Sequence, residues 1–172
     1  MKKYVCLMLV LFAFVSQSVL AQEEDKTPKR PENMGVSDFD SFKNNSFDIL
    51  DESAKLRKDA TRIDGEMKGG VLAGLSVEKL KTDYKALKGI STSSAALKDK
   101  ISQLNEQGKQ MLENAKNVTP KLKAPQATSS TNKSIKGLGA ASKNLDATSD
   151  LVTTNIGLIA TELKSRGEVV ED

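Results

Sequence analysis

Between Val77 and Val118 apolar residues recur at helical spacing through Val77, Leu80, Tyr84, Leu87, Ile90, Leu97, Ile101, Leu104, Met111, Ala115 and Val118. Charged side chains fill most of the positions between them. A helix over this stretch would run roughly 60 Å at 1.5 Å per residue. Such a length calls for a bundle or a coiled coil rather than a compact mixed domain. In this stripe two steps of three fall together, from Tyr84 to Leu87 and on to Ile90, beside Gly89 and the run Ser91-Thr92-Ser93-Ser94. A slip of this kind is a stammer, and the poor helix formers around it suit a break. The expectation is therefore a short helix over 76–88 capped by Ser76 and a long one over 92–118.

Two further stripes have the same period. Phe39, Phe42, Ser46, Ile49, Ser53, Leu56, Ala60, Ile63 and Met67 alternate steps of three and four, and Lys68-Gly69-Gly70 supplies a stop signal. Ser37 as N-cap, with Asp38 and Asp40 in the first turn, sets the start of this helix over 37–68. The last helix, over 134–166, carries Ile135, Leu138, Ser142, Leu145, Ser149, Val152, Ile156, Ile159 and Leu163, and closes on Lys164, Arg166 and Gly167. Pro120 and Pro125 lie in a Pro/Ser/Thr/Lys segment, 119–133, expected to be a flexible linker. The fold class is all-α: an elongated bundle of three long heptad-patterned helices plus one short helix, within 37–167. With no Trp and few aromatic residues, its core has to be aliphatic.

The ends address the compartment. Lys2 and Lys3 precede the apolar run Val5 to Val15, and Val19 and Ala21 occupy the −3 and −1 positions of a signal-peptidase site, so 1–21 reads as a cleaved signal peptide. Cys6 precedes most of that run, where a lipoprotein acceptor cysteine would follow it. A periplasmic or secreted protein, not a lipoprotein, is expected. Residues 22–36, with Pro28 and Pro31, read as a disordered leader, and 168–172 as a frayed acidic tail.

Beyond the signal there is no cysteine and no histidine. Thiol chemistry, zinc sites built on those residues and imidazole-dependent triads have no residues to work with. Of 26 basic side chains two lie in the signal, so the remainder nearly balances 23 carboxylates, and the footprint of a nucleic-acid binder is missing. Gly69, Gly74 and Ser76 have the separations of a phosphate loop, but Leu75 stands where its lysine belongs. Asp48, Asp51 and Glu52 form an acidic group without the Glu-x-x-His pairs of di-iron bundles. Neither an enzyme nor a cofactor is expected.

What remains are apolar residues outside the seams. Phe47 and Leu50 fall off the first stripe, and Leu151 and Leu158 fall off the last, seven residues apart. Val71, Leu72 and Leu75 lie in the glycine-rich loop. These seven are the candidate partner-contact residues. They suit a non-enzymatic helical binding or scaffolding protein of the bacterial envelope, with protein partners that include a second copy of the chain. The alternative is a holdase-type periplasmic chaperone. The chain resembles the helical-tentacle chaperones of outer-membrane proteins in general character, although it has no β-rich oligomerisation segment. A membrane-surface protein using the ten lysines of 76–123, set against five carboxylates, ranks below both.

Overall fold

The computed structural model describes residues 27–69 and 72–170. Three long helices account for most of them: α1, Ser37–Gly69 (33 residues), α2, Val77–Ala115 (39 residues), and α3, Ala124–Ser165 (42 residues). The connections are a 3-10 turn at Leu72–Gly74 and another at Lys121–Lys123, the latter following a cis Thr119–Pro120 bond. The described residues contain no strand. The chain is an all-α helical bundle running up, down and up. The expected signal peptide, residues 22–26 of the leader, Val71 and the last two residues lie outside the described set.

Helix α3 lies against both others along its length, whereas α1 and α2 touch each other less. It is thus α3, not the 77–118 stretch, that forms the axis of the bundle. Its buried face explains this role: Ala127, Thr131, Ser134, Leu138, Ala141, Leu145, Thr148, Val152, Asn155 and Ile159 alternate steps of four and three. Many of these are small, so two neighbouring backbones can approach at once. Four buried hydroxyls of α1 and α3 are satisfied on their own helices, Ser46 on the Phe42 carbonyl at 2.8 Å, Ser53 on Leu50 at 2.8 Å, Ser134 on Ser130 at 3.0 Å and Thr148 on Asn144 at 2.7 Å. Such bonds leave no demand on the facing helix.

Several sequence expectations are corrected. The break near Gly89 does not exist, and 76–88 and 92–118 are one helix. Asp83, 3% exposed, holds the seam position that Tyr84 was expected to hold. With Asp83 in place, Leu80, Asp83, Leu87, Ile90, Ser94, Leu97 and Ile101 alternate three and four without a slip. The aspartate is tolerated inside because Lys79 Nζ donates to its carboxylate at 2.6 and 2.8 Å. On α3, likewise, Ala141, Thr148 and Asn155 are buried where Ser142, Ser149 and Ile156 were expected, and those three are half-buried.

The expected linker 119–133 is helical from Ala124 onward, with Pro125 in the first turn, where a missing N–H costs nothing. Residue 134, where the last helix was expected to begin, lies inside α3.

The leader from residue 27 to 36 is docked rather than disordered. Arg30 donates to Asp48 at 2.7 Å and to Asp51 at 2.8 Å and lies 5.8 Å from the Phe47 ring centre, and Met34 is buried. Asp40 accepts the backbone N–H of Met34 and of Gly35, each at 2.8 Å. Lys43, buried beneath this segment, donates to Asn33. Similarly, in the tail expected to fray, Glu168 pairs with Lys81 at 2.6 Å and Val170 packs on the core.

The core falls into two hydrophobic clusters in series, one of which includes the phenylalanines of α1. One is built around Phe42, Phe47, Leu97, Leu138 and Leu145, the other around Ile63, Leu80, Leu87, Ile159 and Leu163. Leu56 touches both. The second cluster underlies the groove described next.

Candidate functional site

The glycine-rich connection after α1 folds back over the end of the bundle because the end of α3 holds it there. Arg166 Nη1 donates to the Leu75 carbonyl at 2.6 Å, and its Nη2 donates to the carbonyl of Ala73 at 2.8 Å and of Leu72 at 3.4 Å. Glu162 fixes the guanidinium in turn, accepting from Nε at 2.8 Å. Arg166 can be placed this way because α3 ends in a Schellman motif. Gly167, at φ 79°, donates its N–H to Lys164 at 3.0 Å, and the Glu168 N–H returns to Leu163 at 3.0 Å.

The pinned loop brings Leu72 alongside α3 and closes one end of an open groove between α1 and α3, about 360 Å³ in volume. Met67, Leu72, Leu151 and Leu158 supply its apolar surface. Part of its polar edge is already engaged. Asp64 accepts from Lys68 Nζ at 2.8 Å and from the buried Asn155 amide at 3.2 Å. The hydrogen bond from Lys68 is the main cause that holds the Asp64 carboxyl below the usual carboxylate range, with Asn155 adding to it against the effect of burial. What the groove offers an incoming molecule is therefore hydrocarbon bordered by fixed charge.

Of the seven expected contact residues, the structure brings three together here: Leu72, Leu151 and Leu158. Leu158 is 49% exposed, one of three large apolar side chains among the described residues that are open to solvent. Leu75 lies half-buried against the same cluster. Phe47 and Leu50 are elsewhere, buried in the other cluster, where Gly137 of α3 faces them at ordinary contact distance. They fell off the seam because α1 packs against two helices, and the extra face meets the second. Val71 lies outside the described residues.

At the same end of the bundle, Lys79 ties α1 to α2. Its Nζ reaches Glu66 at 2.6 Å as well as Asp83, and Arg62 supports Glu66 at 2.6 Å. The hydrogen bonds that Lys79 donates, to Asp83 first and then to Glu66, raise its pKa, and those that Glu66 accepts, from Lys79 first and then from Arg62, lower that of Glu66. Of the acidic group Asp48, Asp51 and Glu52, the first two are paired with the Arg30 guanidinium. Among the described residues no group of three or more His, Cys, Asp or Glu could hold a metal ion.

Two features were missed in the sequence. Arg166 was read only as a helix stop, and nothing local signals a side chain that reaches a loop ninety residues away. Leu122 was absorbed into a segment read as a polar linker, although a leucine between two lysines was visible there. No family model, curated protein or solved structure matches this chain.

Proposed function

We propose that this is an exported, non-enzymatic helical binding or scaffolding protein of the bacterial envelope, and that the groove between α1 and α3 receives an apolar helix face from a protein partner. The observation that carries the reading is the exposure of Leu158 beside Leu72 and Leu151. Leu151 and Leu158 stand one heptad apart, about 10 Å along α3. That is the repeat with which an incoming helix presents its own apolar residues. A helix in this position would make a fourth member of the bundle and cover the leucines. The leading residues, with the pattern of a signal peptide, support the envelope as the place where the partner is met.

The reading is tested with a photo-crosslinking residue at Leu158 in cells, beside the same residue at Thr92 on the exposed face of α2. A discrete adduct at Leu158 but not at Thr92, lost on Leu151→Asp with helicity unchanged, is the expected result. Identical patterns at both positions would refute it. Sedimentation of the purified chain separates a second copy from a different protein.

A further inference from the structure

At the opposite end of the bundle, the α2–α3 turn is pinned from both sides. Val118 before it and Ala127 after it are buried, and the Lys123 N–H closes the 3-10 turn on the Pro120 carbonyl at 2.9 Å. Leu122 projects from this fixed turn and is 92% exposed, the most exposed large apolar side chain among the described residues. Its neighbours are Lys121 and Lys123. From residue 114 to residue 145 the chain has six lysines and no carboxylate, arginine or aromatic residue. Lys116 and Lys121 are exposed at the turn, and Lys133 and Lys136 are exposed along the first turns of α3, on a shallow surface shared with Pro125 and Thr128. Of the carboxylates on this end, Asp40 faces the Met34 and Gly35 amides, leaving Glu32, Asp38 and Glu113 in solvent.

We propose that this tip meets an anionic lipid surface, with Leu122 entering the boundary between headgroups and acyl chains and the lysines resting among lipid phosphates. The two features call for one occupant that is both negatively charged and apolar just beneath its charge. A lipid leaflet is layered in that way. A nucleic acid would answer the lysines but leave Leu122 in water, and the segment has no aromatic or arginine side chain on which bases could stack. One leucine and a handful of lysines give reversible adsorption rather than a permanent anchor. Among the described residues no helix is long and apolar enough to cross a membrane.

The chain contains no tryptophan, so Leu122→Trp in the full chain places a single reporter at the tip, away from the core. With vesicles of mixed phosphatidylglycerol and phosphatidylcholine, its emission is expected to shift to the blue and to be quenched by brominated acyl chains. Phosphatidylcholine vesicles should leave the emission unchanged, and high salt should reverse the shift. Adding Lys116→Gln and Lys121→Gln, the two lysines exposed at the turn, should weaken partitioning roughly thirtyfold. The proposal is overturned if neither vesicle shifts the emission, if both shift it equally, if the lysine changes have no effect, or if duplex DNA shifts it and the anionic vesicles do not. A melting curve matching that of the unaltered chain confirms that each variant is folded.

Discussion

The Phe42 ring occupies the space that a side chain at residue 108 would need. A Cβ built on Gly108 would stand 3.0 Å from Phe42 Cζ and 3.0 Å from Ile135 Cγ1, so the glycine is where all three helices approach one another. Phe42 is fully enclosed and has nowhere to retreat. Gly108→Ala is therefore expected to destabilise the fold by about 1 kcal/mol net, overpacking outweighing the gain in helix propensity. Gly89, also inside α2, has open space around its Cβ position. Gly89→Ala should stabilise by about 0.5–1 kcal/mol, and a chemical denaturation curve for each variant reads both. If Gly89→Ala destabilised instead, the continuity of α2 would be in question.

Arg166 ties the 72–75 loop to the end of α3. Arg166→Lys removes the planar fork that reaches several carbonyls at once. We expect a loss of about 1–2 kcal/mol, discounted for partial exposure, and faster amide hydrogen exchange in residues 72–76, with the distant cluster around Phe42 unaffected. Unchanged exchange at the loop would show that its own apolar contacts suffice.

The acid side of the stability profile belongs to Asp64 and Glu66. Both carboxyls are held below the usual range, Asp64 chiefly by Lys68 and Glu66 chiefly by Lys79. A depressed carboxylate contributes fully above its unfolded pKa of about 4 and loses that contribution as the pH falls through the lower folded value. Lys79, raised from 10.5, contributes below that value and loses its contribution only as the pH rises through the raised one. The melting temperature should therefore fall below about pH 4 and hold through neutrality. Glu66→Gln should flatten the acid limb.

Among the described residues two buried hydroxyls, Ser94 Oγ and Thr131 Oγ1, have no hydrogen-bond partner. An unsatisfied buried hydroxyl is a standing cost, so Ser94→Ala and Thr131→Val are each expected to be stabilising by about 1 kcal/mol. Ser134→Ala, which removes a hydroxyl already bonded to Ser130, should change little. Thermal melts of the three variants decide between these outcomes.

The three helices, the seam of α1 and the C-terminal stop of α3 were legible because large apolar residues repeat there at helical spacing. The first ten residues of α3 were not legible, because Ala127, Ser130 and Thr131 carry the seam with small side chains. A search confined to large apolar residues passes over them, although their spacing is helical. The false break in α2 came from the opposite preference: Tyr84 looked more like a core residue than Asp83, and only the position of Lys79 reverses the choice. The groove was half legible. Leu151 and Leu158 share a face by periodicity alone, but their meeting with Leu72 depends on Arg166, a tertiary contact with no local signature.

The leucine-lined groove and the lysine tip lie near opposite ends of one unbroken helix, separated by roughly 30 residues of α3, or about 45 Å. No loop interrupts α3 between them, and α1 and α2 brace it along both sides. A molecule held at one end therefore stands at a set height above whatever lies at the other. With both proposed contacts made, the number of turns in α3 would set that height.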